Sequence, residues 1–252
     1  MNTFSKYKIM LVPKQSGKIN YSYRYSVLTG IYKSLSLLDK EFSEDLHKNG
    51  FGSNQKYKLF NFTLQFRNSS FEKDYIKLND FSTIILNIKG LNKISTKIYN
   101  AIMAYGIKIG DIEFQSVNGK LILGSGKYGY KAIEYTSLSP IVCTIQENNK
   151  PKYLTPYDNR FYIVLIEGLK RKYKAVYKED YVDDIFIDPE MQSIKKKFQQ
   201  EKIKGHYIPI YAYSLSFWIE ATPKMFNLIE NIGAGSKNSM GFGNLKVIGG
   251  IK

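Results

Sequence analysis

Hydrophobic side chains change their spacing in a fixed order along the first half of the chain, and that order constrains the fold more than any other feature. Residues 6–12 (Lys-Tyr-Lys-Ile-Met-Leu-Val) read as a strand ended by Pro13. Residues 17–20 read as a polar loop. Residues 23–38 place Tyr25, Leu28, Ile31, Leu35 and Leu38 at three- and four-residue spacing, the period of a helix. Asp39 can cap a second short helix ending near His47, before Gly50. Residues 58–66 alternate, with Phe60, Phe62, Leu64 and Phe66 on one face, and residues 81–88 suggest another strand. Helical spacing returns over 91–105, through Leu91, Ile94, Ile98, Ile102 and Tyr105. Residues 107–123 then predict a hairpin with Asn118-Gly119 at its tip.

Strand, helix, strand, strand, helix, strand is the split βαβ order of a ferredoxin-like, or RRM-like, unit. It predicts an α+β fold with helices on one face of an antiparallel sheet. The second half reads as a looser copy. Residues 140–146 predict its first strand and residues 157–178 a helix through Phe161, Leu165, Leu169, Tyr173 and Val176. One or two long strands follow within 192–219. Thr222 suits a helix cap, Pro223 the first helical position and Gly233 the end, before a last strand at 244–249. Two βαββαβ domains in tandem, 1–125 and 126–252, are therefore expected.

Charge narrows the function. Lys and Arg total 37 against 22 acidic residues, a net charge of +15, which favours polyanions such as nucleic acid. Only Arg24, Arg67, Arg160 and Arg171 are arginines, so bidentate reading of guanine is limited, and shape and phosphate contacts should dominate. Aromatics at 15% offer rings on which bases can stack, although most such rings belong to a core. No apolar run approaches the roughly 18 residues of a membrane helix. The apolar stretch at the N-terminus is interrupted by Lys6 and Lys8 and lacks a signal-peptide cleavage site, so a cytoplasmic protein without a membrane partner is expected. Cys143 is the single cysteine, which excludes a disulfide framework and a cysteine zinc site within one chain. No Asp, Glu and His cluster suggests a catalytic metal; Asp183, Asp184 and Asp188 read as a solvated acidic loop.

Two motifs carry chemistry. Gly124-Ser-Gly-Lys127 lacks the leading glycine and trailing Ser or Thr of a phosphate loop, which argues against an NTPase. The run Gly233-Ala-Gly235-Ser-Lys237-Asn-Ser-Met-Gly241-Phe-Gly243 is sharper, with two G-x-G pairs bracketing a polar loop. A helix cap followed by a hairpin explains one or two of these glycines; successive N–H groups, with Lys237, could instead line an anion-binding concavity. His47 and His206 are the only histidines. His206 reads as a surface residue at a strand start, and His47 alone as a helix C-terminal residue that suits the dipole. Lys170, Arg171, Lys172 and Lys174 form one candidate basic face; Lys195, Lys196, Lys197, Lys202 and Lys204, on a predicted hairpin, form another.

The combination Gly30-Ile-Tyr32-Lys33, Leu46-His47 with a glycine soon after, Lys58-Leu-Phe60-x-Phe62-Thr63, Leu169-Lys-Arg-Lys172-Tyr173 and the 233–243 glycine loop resembles one family over most of the chain. It is similar to the CRISPR-associated endoribonucleases that cut precursor CRISPR RNA within its repeats, the sixth Cas family of the RAMP superfamily. The resemblance implies two tandem ferredoxin-like domains and RNA cleavage with no metal or cofactor. It implies Tyr32, His47 and Lys58 as catalytic residues, with Lys56 an alternative to Lys58. Cleavage would proceed by 2′-hydroxyl attack, leaving 5′-hydroxyl and 2′,3′-cyclic phosphate ends. The implied partner is CRISPR repeat RNA, bound through Gly233, Gly235, Lys237, Gly241, Gly243 and the clusters Lys170–Lys172 and Lys195–Lys197. The protein would be a monomer or homodimer, or a subunit of a CRISPR effector complex. Some members of the family bind repeats without cutting, so a non-catalytic RNA-binding subunit is the alternative. Tyr32 and His47 are fifteen residues apart, about four helical turns, so only a break near Asp39 could bring them together.

Overall fold

The computed structural model describes residues 3–52, 55–123, 129–203 and 205–252. Backbone contacts divide the chain into two units, each drawing on more than one stretch of sequence. The first comprises Met1–Gly50, Phe62–Gly124 and Gln200–Ile208; the second comprises Phe51–Asn61, Ser125–Gln199 and Pro209–Lys252. A single cut at 125 therefore misassigns two short segments, 51–61 and 200–208.

The first unit is built from β1 (Phe4–Pro13), β2 (Gly17–Asn20), α1 (Arg24–Leu38), α2 (Lys40–Lys48), β3 (Phe60–Arg67), β4 (Ser70–Phe71), β5 (Tyr75–Leu78), β6 (Thr83–Leu91), α3 (Asn92–Tyr105), β7 (Ile107–Ile109) and β8 (Ile112–Ile122). The main sheet runs β3-β6-β1-β8-β7, with β1 antiparallel to both β6 and β8. Counted as the four strands of the motif, β1, β3, β6 and β8 lie in the order 2-3-1-4. Ile9 and Leu11 of β1, Ile84, Leu86 and Ile88 of β6, and Phe62 of β3 are buried with Ile31 and Leu35 of α1 and Ile94, Ile98 and Ile102 of α3.

Three local expectations are corrected here. Residues 17–20 are a strand, not a polar loop: they pair with β5, and Ile19 is buried. The turn of the 107–123 hairpin falls at Gly110-Asp111, between the paired Ile109 and Ile112. Asn118 and Gly119 lie inside β8 opposite Met10 and Ile9, beside a bulge. Glycine is needed there because a Cβ would come within 2.7 Å of the Tyr99 ring and the Met103 sulfur of α3. Lastly, β3 starts at Phe60 and not at residue 58. Leu59 has φ +50°, so the alternation of β3 does not extend to Lys58.

The second unit contains β9 (Ala132–Ser137), β10 (Thr144–Glu147), β11 (Lys150–Tyr153), α4 (Arg160–Tyr177), β12 (Phe186–Pro189), β15 (Ser216–Glu220), α5 (Pro223–Ile232) and β16 (Leu245–Ile251), together with the hairpin of β13 (Lys195–Ile203) and β14 (His206–Ser214) except its tip, Gln200–Ile208, which belongs to the first unit. Its four-stranded sheet runs β12-β15-β9-β16, so β9, β12, β15 and β16 repeat the 2-3-1-4 order. This is a second ferredoxin-like unit, with hairpins β10–β11 and β13–β14 inserted. Its first strand is β9, not 140–146. The latter segment makes isolated bridges from Ile141 to Tyr213 and from Val142 to Ser236 before entering β10. Thr222 caps α5 through Met225 N–H, Pro223 opens the helix and Gly233 closes it. No described helix is long and apolar enough to cross a membrane.

Candidate active site and RNA interface

Helix α1 stops at Leu38 because Asp39 leaves the helical region, with φ −155° and ψ 91°. The Asp39 carboxylate accepts a hydrogen bond from Phe42 N–H at 3.0 Å and so starts α2. Lys97, on α3, donates to the same carboxylate and lies 4.3 Å from the centre of the Phe42 ring. The pairing with Lys97, aided by the Phe42 N–H, holds the Asp39 carboxyl below its ordinary range. The chain therefore doubles back at a fixed point, and Ser43 Oγ on α2 donates to the carbonyl of Tyr32 on α1 at 3.2 Å.

The consequence is that Tyr32 and His47 meet. Their ring centres are 5.2 Å apart at 84°, an edge-to-face contact. A continuous helix would separate residues fifteen apart by about 22 Å. His47 is exposed, whereas Tyr32 is partly buried. The Tyr32 hydroxyl is buried and, among the described residues, has no hydrogen-bond partner. Burial pushes its pKa well above the tyrosine range, so at neutral pH it is a protonated donor. A buried hydroxyl with an unfilled bond calls for an explanation, and a substrate oxygen supplies one. Lys58 sits in the irregular stretch before β3 and belongs to the second unit.

A second feature of the first unit is a groove of about 250 Å³ on α1, lined by Tyr25, Thr29, Lys33, Lys108 and Lys202 among others. It gathers three cations from α1, β7 and β13. Lys33 and Lys108 are 75 residues apart, so no local pattern could have linked them. Beside it, the buried Glu201 accepts a hydrogen bond from Tyr25 N–H at 3.1 Å, at the start of α1. His206 is exposed at the start of β14. Among the described residues no group of three or more His, Cys, Asp or Glu side chains converges as a metal site. Lys204 and the Gly124-Ser-Gly-Lys127 segment lie outside the described residues.

In the second unit the 233–243 loop is tightly self-bonded. Ala234 N–H donates to Gly243 O, Gly243 N–H to Pro140 O, and Ser236 N–H to Val142 O. Most loop N–H groups are thus already engaged, which narrows the anion concavity expected from the sequence. The glycines are demanded by the same packing. A Cβ on Gly243, at φ +67°, would lie 1.9 Å from Ala234 O, and one on Gly235, at φ +72°, 2.6 Å from Val142 O. Buried amides complete the loop: Asn61 Nδ2 donates to Ile232 O and Phe242 O, Asn238 Nδ2 to Ala234 O and Phe242 O, and Asn244 Nδ2 to Asn61 Oδ1. Lys237 is partly buried, which lowers its pKa.

The basic clusters separate. Lys172 is not on the surface: it is 2% exposed, and its ammonium donates into the glycine loop. Its spacing was the available signal, since it stands three residues after Leu169 and seven after Leu165 on the buried stripe of α4. Lys170 is partly buried. Arg171 is exposed, 3.9 Å from Glu167, with its Nε donating to Tyr57 Oη at 3.3 Å. Lys174 pairs with Asp180 at 2.8 Å. By contrast, Lys195, Lys196 and Lys197 are all exposed on β13. They adjoin a row of rings: Lys196 Nζ is 5.2 Å from the centre of Tyr211, which packs against Phe198 and Tyr153. Cations interleaved with exposed aromatics are the ingredients of a single-stranded nucleic-acid platform.

The family described as CRISPR associated protein Cas6, C-terminal, matches residues 127–247. A CRISPR-associated endoribonuclease Cas6 of Methanocaldococcus jannaschii is 26% identical over 228 residues, 89% of this chain and 85% of its own. Among solved structures, a RAMP protein described as binding different RNA substrates superposes with a TM-score of 0.76 at 23% identity, over 97% of this chain and all of its own. A Cas6-related protein of Pyrococcus furiosus gives 0.75 at 24% identity, over 97% and 98%.

Proposed function

We propose that this chain, a relative of the Cas6 proteins in sequence and in fold, is an endoribonuclease that cuts CRISPR repeat RNA without a metal. The observation that carries the reading is the Tyr32–His47 contact across the α1–α2 break. It pairs an imidazole, whose ring nitrogens can accept or donate a proton, with a neutral donor whose hydrogen bond is unfilled among the described residues. In the reaction the RNA 2′-hydroxyl attacks the adjacent phosphorus in line, and the bond from phosphorus to the 5′-oxygen breaks. His47 takes the 2′ proton as base or protonates the leaving 5′-oxygen as acid. Tyr32 donates to a phosphate oxygen or orients the nucleophile. The family resemblance implies Lys58 as the residue for neutralising phosphate charge. The products are a 2′,3′-cyclic phosphate and a 5′-hydroxyl.

RNA binding is assigned to the exposed Lys195–Lys197 edge with its rings, to the 233–243 loop and to the Lys33–Lys108–Lys202 groove. The test uses one labelled repeat RNA under single-turnover conditions. Cleavage should persist in excess EDTA and stop when the nucleotide upstream of the scissile phosphate is 2′-deoxy. His47→Ala should slow it by roughly 10²–10⁴-fold while affinity holds. Binding without cutting by the wild-type protein would instead identify a non-catalytic repeat-binding subunit. Cutting of the 2′-deoxy substrate would exclude this mechanism, because no other internal nucleophile exists.

A further inference from the structure

A lysine side chain is enclosed by the glycine loop. Lys172 Nζ donates to Gly233 O at 3.1 Å, Gly235 O at 2.7 Å and Asn238 Oδ1 at 2.6 Å. An ammonium has three hydrogens and here meets three acceptors, all from one loop. Asn238 then turns its amide back onto Ala234 O and Phe242 O, so both ends of the loop are tied through residues in contact with the same cation. A neutral amine has only two hydrogens and would leave one buried oxygen without a donor.

We propose that Lys172 is a positioning residue for RNA binding: its ammonium sets the shape in which the glycine loop meets RNA, without touching the RNA itself. The inference rests on the reading of that loop as an RNA contact. It differs from the expectation for a basic cluster, in which Lys172 would bind phosphate directly; a side chain 2% exposed is not presented to a phosphate.

The clamp should respond to pH. Burial lowers the Lys172 pKa to about 7. The three acceptors favour the charged form and oppose that shift. The groups acting on it are Cys143, whose buried thiol is pushed up to about 12 and stays neutral, and the neighbouring Arg171, which opposes the charged form. Lys237, on the loop itself, is also lowered by burial. The ammonium is present at low pH and is lost as pH rises through its folded-state pKa. Affinity for RNA should therefore fall as pH rises from about 6.5 to 9, at constant ionic strength.

The experiment measures binding of a labelled CRISPR repeat RNA in a His47→Ala background, which suppresses cleavage. Lys172→Met should bind about tenfold or more weakly, with an unchanged slope of log affinity on log salt and a flattened pH profile. A slope reduced by about 0.7–0.9 would make Lys172 a phosphate contact, and wild-type affinity would make it structural; either overturns the proposal. If Lys172→Met does not fold, the pH profiles of the parent protein and of Lys237→Ala decide. A fall with pH that survives Lys237→Ala supports the clamp; a flat parent profile, or a fall abolished by Lys237→Ala, overturns it. Lys237→Ala also tests the underlying reading. If it leaves affinity and slope unchanged, the loop does not contact RNA and both readings fail. If it weakens binding while Lys172→Met does not, only the clamp fails.

Discussion

Lys97 on α3 is bonded to Asp39, the residue at which α1 ends and α2 begins, so one surface ion pair fixes the corner that brings His47 to Tyr32. Neither partner is expected to touch substrate. Lys97→Met should therefore lower the single-turnover cleavage rate by about 10–100-fold and leave RNA affinity within about twofold, since small misplacements of a reacting group are costly. Asp39→Ala, which also removes the cap, should lower the rate at least as far. Wild-type rates for both would show that the corner holds without the pair.

Tyr32→Phe separates stability from chemistry. The Tyr32 hydroxyl is buried without a partner, and removing such a group relieves a cost on the order of 1 kcal/mol. The variant should unfold at the same temperature or higher, yet cleave more slowly. A lower melting temperature would mean that the hydroxyl is satisfied in solution.

Electrostatics should be additive along the exposed edge of β13. Each of Lys195→Ala, Lys196→Ala and Lys197→Ala should flatten the salt dependence of repeat-RNA binding by about 0.7 log units per lost contact. The single-turnover rate at saturating protein should stay intact. Lys174→Ala serves as the contrast, because that ammonium already pairs with Asp180. Unchanged slopes for all three variants would move the RNA path to the Lys33–Lys108–Lys202 groove.

Gly243→Ala tests why the loop is glycine-rich. A Cβ there meets the backbone oxygen of Ala234 at 1.9 Å, so stability should fall by at least about 1–3 kcal/mol, measured by denaturant unfolding, and RNA affinity with it. Full stability would mean that the loop can open at no cost.

Glu201 gives a pH signature. Burial raises its carboxyl pKa above the unfolded value, with Tyr25 N–H and Arg24 opposing. A carboxyl raised on folding contributes most below the unfolded pKa and loses that contribution as pH rises through the folded one. Glu201→Gln should therefore gain on the wild type in stability as pH rises above the ordinary carboxyl range. A constant difference over that rise would count against the shift.

Periodicity made the helices and most central strands legible. The α1 and α4 stripes, the Asp39 cap and the Thr222-Pro223 start are local signals, and local chemistry decided them. Signals failed where distant partners overrode local preference. Asn118-Gly119 has the composition of a tight turn, yet the need to admit the Tyr99 ring explains its glycine. Lys172 reads as basic surface from its neighbours Lys170, Arg171 and Lys174, yet it is buried, because the loop supplies three oxygens 61 to 66 residues away. The groove on α1 depends on Lys108 and Lys202, whose proximity to Lys33 no sequence window contains.

The exchange of short segments between the two units has a practical meaning. Asn61 precedes residue 125, yet its amide serves Ile232 and Phe242 at the edges of the glycine loop. Glu201 follows residue 125, yet its carboxylate receives the first turn of α1. Splitting the gene at the apparent repeat boundary would give two halves, one without the acceptor at its first helix and the other without the donor to its loop. The duplication visible in the strand order is thus no longer divisible in the chain: the two copies have become each other's suppliers.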